Sequence, residues 1–303
     1  AGLGANVWSA KASLNNTRDG GIGGNLGGVA VAADGAASPS TEIYNYESNV
    51  WVNGNPNPWS EVATPAGFVL YGRLYAVGMN NGTSSYNFNL DGQVWTTLAT
   101  INTARSGLFP NNGGSLNGYG YLLGGAAAGG GSAVTTTEQY NVDANTWTNK
   151  ASCTTATVRY FGLMSVDGFL VKESGTDFGA TAANAQTSVE AYNDASNAFT
   201  SKTAHPMATS ASQCLVMSGY GYSYGGRNTS STVQANAYRY NISGDFWTQT
   251  NSYPTAIFGS SISNMLGISA GGFNGSSNLA STYQLSQSLN NIVLGVGLRV
   301  TES

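Results

Sequence analysis

The chain has 303 residues, of which only 9% are charged, against roughly 25% in ordinary globular proteins. It holds 41 Gly, 11% aromatic residues and a net charge of −4. That composition excludes a disordered chain, which is poor in aromatics and strongly charged, and a nucleic-acid binder, which needs a basic surface. The longest apolar run near the end, 292–298, falls far short of the roughly 20 residues of a membrane helix, so no membrane insertion is expected.

In chain order, the first element is a short strand around Val7-Trp8. An alternating run ending in Gly follows at 28–35 and recurs at 72–78, 118–125, 168–175, 219–226 and 266–272. Each run starts at a turn and reads as a strand. Behind five of the six comes an aromatic-Asn pair, a turn and a second aromatic. These are Tyr44-Asn45 with Trp51, Tyr86-Asn87 with Trp95, Tyr140-Asn141 with Trp147, Tyr192-Asn193 with Phe199, and Tyr240-Asn241 with Trp247. Tyr283 has no aromatic after it, and Trp8 has no Tyr before it. The offset predicts a closed ring in which the strand at Trp8 completes the unit opened by Tyr283.

The units repeat every 42 to 52 residues or so, and no segment keeps a helical apolar period for three turns. Several short strands per unit at that spacing are the blades of a β-propeller. A blade cannot bury both faces alone, so the Tyr and Trp are expected to pack between blades. The predicted fold is all-β, a six-bladed propeller over residues 1–286 closed by the N-terminal strand, with a C-terminal tail over 287–303. Cys153 and Cys214 form no C-x-x-C pair and are expected to be free buried thiols. The first residues show no charged-then-apolar leader, so removal of a signal or export by another route is expected.

The Gly-Gly, Tyr and Trp pieces resemble the kelch repeat. The third unit matches best, with Asn102-Thr-Ala-Arg105-Ser-Gly107, then Tyr119 to Gly125, then Glu138, Tyr140 and Trp147. The double Gly is absent from the second and fourth units. The Asn-Thr-Ala-Arg, Glu-Gln-Tyr-Asn and Thr-Trp-Thr pieces, in a chain rich in Asn, Gly, Ser and Thr, also resemble kelch-like propellers of bacteriophage tail fibres and other virion proteins. The resemblance implies a virion or extracellular location, protein partners in a larger assembly, and ligand binding at one face of the ring. It places Arg18, Arg105 and Arg159 at a position that often points to the central pocket. A supporting role, with each Arg bonding loop carbonyls, is the alternative. The loops 125–136, 175–187 and 226–232 share that face and add Asp177 and Arg227, while Tyr160 follows Arg159. Their small and hydroxyl-bearing residues suit hydrogen bonds to a host-surface glycan, with Tyr or Phe stacking on sugar rings; they suit a solvated connection equally well.

Catalysis is not expected. His205 is the only His, too few for the copper site of kelch-fold oxidases, and no G-x-S-x-G elbow occurs. Glu42, Glu138 and Glu190 precede the repeat Tyr and read as structural. Asp19, Glu61, Glu173 and Asp177 remain as weak carboxylate candidates for glycosidase chemistry. No cofactor and no metal ion is expected. The tail residues Ile292, Val293, Leu294, Val296 and Leu298 read as a strand that either packs on the ring or attaches to a neighbour by strand addition. The leading expectation is a non-enzymatic binding module. The alternatives are an assembly or decoration protein of a capsid, tail or filament, and a kelch-type sugar epimerase or mutarotase with Arg18, Arg105 and Arg159 holding an acidic sugar.

Overall fold

The structure, a computed structural model, describes residues 6–35, 40–59, 65–79, 82–106, 108, 112–128, 132–155, 159–176, 182–262 and 267–287. Glu61, Asp177 and the tail residues Ile292, Val293, Leu294, Val296 and Leu298 lie outside the described residues.

The described strands form six four-stranded antiparallel sheets. Blade one is Ile22–Leu26, Val29–Ala33, Thr41–Asn45 and Val50–Asn53. Blade two is Ala66–Leu70, Arg73–Met79, Ser84–Asn89 and Val94–Thr97. Blade three is Gly113–Leu116, Tyr119–Leu123, Thr137–Asn141 and Thr146–Lys150. Blade four is Gly162–Val166, Phe169–Glu173, Val189–Asn193 and Ala198–Lys202. Blade five is Gln213–Met217, Tyr220–Tyr224, Ala237–Asn241 and Phe246–Gln249. Blade six is Ser261–Ile262, Ile268–Ala270 and Thr282–Gln287, with Asn6–Lys11 as its outer strand. The first strands contact one another around the axis, and those of blades six and one meet to shut the ring.

The N-terminal strand closes the ring as the offset of Trp8 and Tyr283 predicts. Its register, however, sets Trp8 opposite Leu285, with Tyr283 opposite Ala10. In blade one the corresponding pair is Tyr44 opposite Trp51, and in blade two it is Phe88 opposite Trp95. The repeat aromatic of blade two is therefore Phe88 rather than Tyr86, and Leu285 takes that place in blade six. Tyr86 and Tyr283 stand two residues earlier. That is the position held by Glu42, Glu138 and Glu190 in blades one, three and four, and by Tyr238 in blade five. Side chains two apart on a strand share a face, so the sequence pattern survives a two-residue error.

The third and fourth strands of each blade grip the loop arriving from the previous blade. In blade three the backbone N–H of Ala99 donates to Asn145 Oδ1 at 3.0 Å, and the Trp147 indole donates to the Ala99 carbonyl at 3.1 Å. The Tyr140 hydroxyl holds the same Asn145 Oδ1 at 2.7 Å. Blade one repeats this with Ala12, Asn49, Trp51 and Tyr44, and blade five with Thr203, Asp245, Trp247 and Tyr240. Blade four keeps the Asn197 half; its Phe199 has no N–H to donate.

A second grip is ionic in blades one, three and four. Glu138 accepts the backbone N–H groups of Asn102 at 2.6 Å and Thr103 at 3.1 Å and pairs with Arg105, both side chains fully buried. Glu42 does the same with Asn15, Asn16 and Arg18, the ion pair at 2.5 Å. In blade four Glu190 takes the Thr154 N–H and the Thr154 and Thr155 hydroxyls, and its cation is Lys172 at 2.9 Å. Where Tyr replaces Glu, an aromatic contact replaces the ion pair. The partners are Trp59 with Tyr86, His205 with Tyr238, and Tyr253 with Tyr283, with ring centroids at 5.1, 5.0 and 5.2 Å. Both kinds of grip satisfy or cover buried groups that would otherwise be costly.

Removing one member of a buried ion pair strands its partner. Glu138→Gln is expected to lower the unfolding free energy by about 3–5 kcal/mol, read from urea denaturation. A loss below about 1 kcal/mol would show that the pair does not hold the loop.

Candidate functional site

The turns between first and second strands, and between third and fourth, lie at one end of the blades. The inter-blade loops and the loops after the second strand lie at the other, where short bridges tie them together. The bridges join Arg18 to Leu279, Arg105 to Ala127, Arg159 to Thr176, Ser210 to Arg227 and Phe258 to Phe273. This loop face holds Arg18, Arg105, Arg159, Tyr160 and Arg227.

Arg18 and Arg105 do not line an open pocket. Both are fully buried. The Arg18 guanidinium donates to the carbonyls of Asp34 at 2.9 Å and Ser40 at 3.2 Å as well as to Glu42. Arg105 does so to Gly124 at 2.8 Å, Thr136 at 3.1 Å and Glu138. The carbonyl-bracing alternative is the geometry found. Burial lowers both guanidinium pKa values, with the paired Glu acting against it.

Arg159 stands at a different place, one residue further along the repeat. A Cβ on Gly35 would come 2.9 Å from the Asp19 carbonyl, and one on Gly175 would come 2.8 Å from the Arg159 carbonyl. Asp19 and Arg159 are thus equivalent, and the residue after each adopts positive φ, 70° at Gly20 and 53° at Tyr160. This one-residue shift is why Arg159 is not paired with Glu190 and Lys172 is. Lys172 was missed in the sequence because its place, on the second strand, is not the Arg place of the repeat.

Around blades four, five, six and one, the loop face gathers Arg159, Tyr160, Arg227, Phe258, Phe273 and Asp19. The Arg227 guanidinium lies 3.8 Å from the centre of the Phe258 ring, and Arg159 lies 5.5 Å from that of Tyr160. Phe258 packs on Phe273 at 5.3 Å, and Tyr160 and Val233 join the same apolar cluster. Arg227 and Tyr160 are half-buried, whereas Arg159 sits deeper. The Nε atoms of both Arg and Oδ1 of Asp19 have no hydrogen-bond partner among the described residues. Burial pushes the Asp19 carboxyl up to about 6, with the Arg227 charge pulling it back. Phe258 and Phe273 were missed; Phe273 follows the Gly271-Gly272 pair that the sequence shows, but nothing in it tells that the rings meet a guanidinium.

The axial channel is narrow, about 70 Å³, and its wall includes Gly23, Gly67, Gly114, Leu163, Cys214 and Val216. Two further groups suited to acid–base chemistry are sealed inside. Glu173 and His205 are buried between blades four and five, 4.0 Å apart. Ser212 and Ser223 hydroxyls donate to Glu173 Oε1 at 2.7 and 3.0 Å. His205 Nδ1 stands 2.7 Å from the Met207 carbonyl. Both cysteines are free and buried; burial pushes the Cys153 thiol up to about 11 and raises that of Cys214. No group of three His, Cys, Asp or Glu among the described residues is placed to hold a metal ion.

No family model matches the chain, and no curated protein matches it. Among solved structures, that of YjhT superposes with a TM-score of 0.76 over 91% of this chain and 99% of its own, at 9% sequence identity. The likeness is one of propeller fold.

Asp34 supplies a test of the interior electrostatics. Burial pushes its carboxyl up to about 7, with the Gly35 N–H, Trp59, Arg18 and Asn57 acting against that. The folded state then holds a proton that the unfolded chain, titrating near ~4, has lost. This group's contribution to stability is full in acid and is lost as pH rises from about 4 through about 7. Tm is expected to fall over that window in thermal melts, and Asp34→Asn to flatten the fall. An unchanged pH profile in the variant would assign the proton elsewhere.

Proposed function

We propose that the chain is a non-enzymatic recognition propeller whose loop face, over blades four, five, six and one, holds a glycan of a host surface. The observation that supports this reading is the contrast between two sets of cations. Arg18, Arg105 and Lys172 are committed to buried carboxylates. Arg159 and Arg227 lie against aromatic rings and form no ion pair among the described residues. A guanidinium held over a ring keeps its planar fork for hydroxyl or carboxylate oxygens, and the neighbouring rings offer an apolar face to the C–H side of a sugar. Rigid blades position these side chains at small ordering cost. The low charge and neutral polar surface fit an exterior location, in a virion or an extracellular structure.

A glycan array probed with the folded propeller tests the reading. Binding is expected, and Arg227→Ala together with Arg159→Ala should reduce it at least about tenfold while the fold persists. Absence of binding by a folded protein, or indifference to both substitutions, would reject it.

A second observation favours an assembly role in addition. The outer strands of blades five, six, one and two expose Phe246, Val7, Val50, Val52 and Val94, whereas blade three has Thr146 and Thr148 outward. Edge strands with apolar outward rows invite lateral packing. Val50→Lys with Val52→Lys is then expected to block incorporation into the larger particle, seen by co-sedimentation, without lowering Tm by more than a few degrees. Normal incorporation of this variant would remove the rim from the contact.

A further inference from the structure

The two-residue turn between first and second strands has the same conformation in five blades. Its first residue is left-handed, with φ of 55° at Gly27, 47° at Tyr71, 50° at Asn117, 47° at Asp167 and 53° at Ser218. Glycine, Asn and Asp adopt this region readily; a residue with a ring side chain does so at a cost. Burial does not offset that cost, because Tyr71 is 69% exposed. A strained, exposed aromatic where the neighbouring blades use turn formers points to use rather than packing.

The surroundings of Tyr71 show what that use is. Its hydroxyl lies over Gly118 of the next blade, where a methyl group would come within 2.7 Å of it. The ring borders a groove of about 100 Å³ between blades two and three, which Tyr119, Asn117, Asn141 and Asp143 also line. Asn117 and Asp143 are exposed, and Tyr119 and Asn141 are half-buried. The nearby Arg73 donates to Asn87 at 3.3 Å, so the groove presents two phenol rings, two amides and a carboxylate.

We propose that this groove is a second carbohydrate site, on the opposite end of the ring from the loop face, for a neutral pyranose. Tyr71 stacks on the C–H face of the sugar, and Asn117, Asn141 and Asp143 accept or donate hydrogen bonds to its hydroxyls. The small volume suits one ring laid on an open platform at a chain end, and the carboxylate disfavours acidic sugars.

Saturation-transfer NMR and calorimetry on the full chain with maltotriose, cellotriose and N-acetylchitotriose test the site. At least one is expected to bind, Tyr71→Trp to keep binding, and Tyr71→Asn to reduce affinity at least tenfold with Tm unchanged or higher, since Asn fits this turn. Arg227→Ala, on the other face, should leave this binding intact, which separates the groove from the loop-face reading. No binding of the three saccharides to the folded protein, binding that survives Tyr71→Asn, or a lower Tm for that variant would overturn the proposal.

Discussion

The ring depends on how each blade seizes the loop that enters from its predecessor. A four-stranded blade has two faces and exposed loop backbone at its end, and buried N–H and C=O groups must find partners. Tyr and Trp on the outer two strands, with Asn or Asp in the turn between them, supply those partners in blades one, three and five, at 2.6–3.1 Å. One set of contacts therefore orders the loop, sets the spacing of neighbouring blades and fixes the loop face.

The ionic and aromatic versions of the inner grip explain the distribution of a scarce resource, charge. Buried ion pairs stand in blades one, three and four, and each has a loop cation or a strand Lys beside it. Blades two, five and six use Tyr against Trp59, His205 and Tyr253 instead. His205 therefore has a packing role, edge-on to both Tyr238 and Trp247. With these charges spent inside, the cations near the mouth that lie on rings are Arg159 and Arg227.

Much of the fold can be read from spacing alone. The Tyr-to-Trp interval is a hairpin, the run ending in Gly is the second strand, and the unmatched Trp8 marks the closing strand. Tyr86 and Tyr283 mislead because they share a face with the true repeat position. The site is harder to read. Arg18, Arg105 and Arg159 look equivalent in the sequence, and a single-residue shift, visible only through the backbone packing at Gly35 and Gly175, separates two buried braces from a cation of the loop face. The Phe258–Arg227 contact joins blades five and six, so no local pattern records it.

The account rests on the division between committed and available guanidinium groups. Phenylglyoxal labelling of the native chain, followed residue by residue with mass spectrometry, measures it directly. Arg227 should be modified well before Arg18 and Arg105, which become reactive only on unfolding; labelling of Arg18 or Arg105 as fast as Arg227 in the folded protein would contradict it.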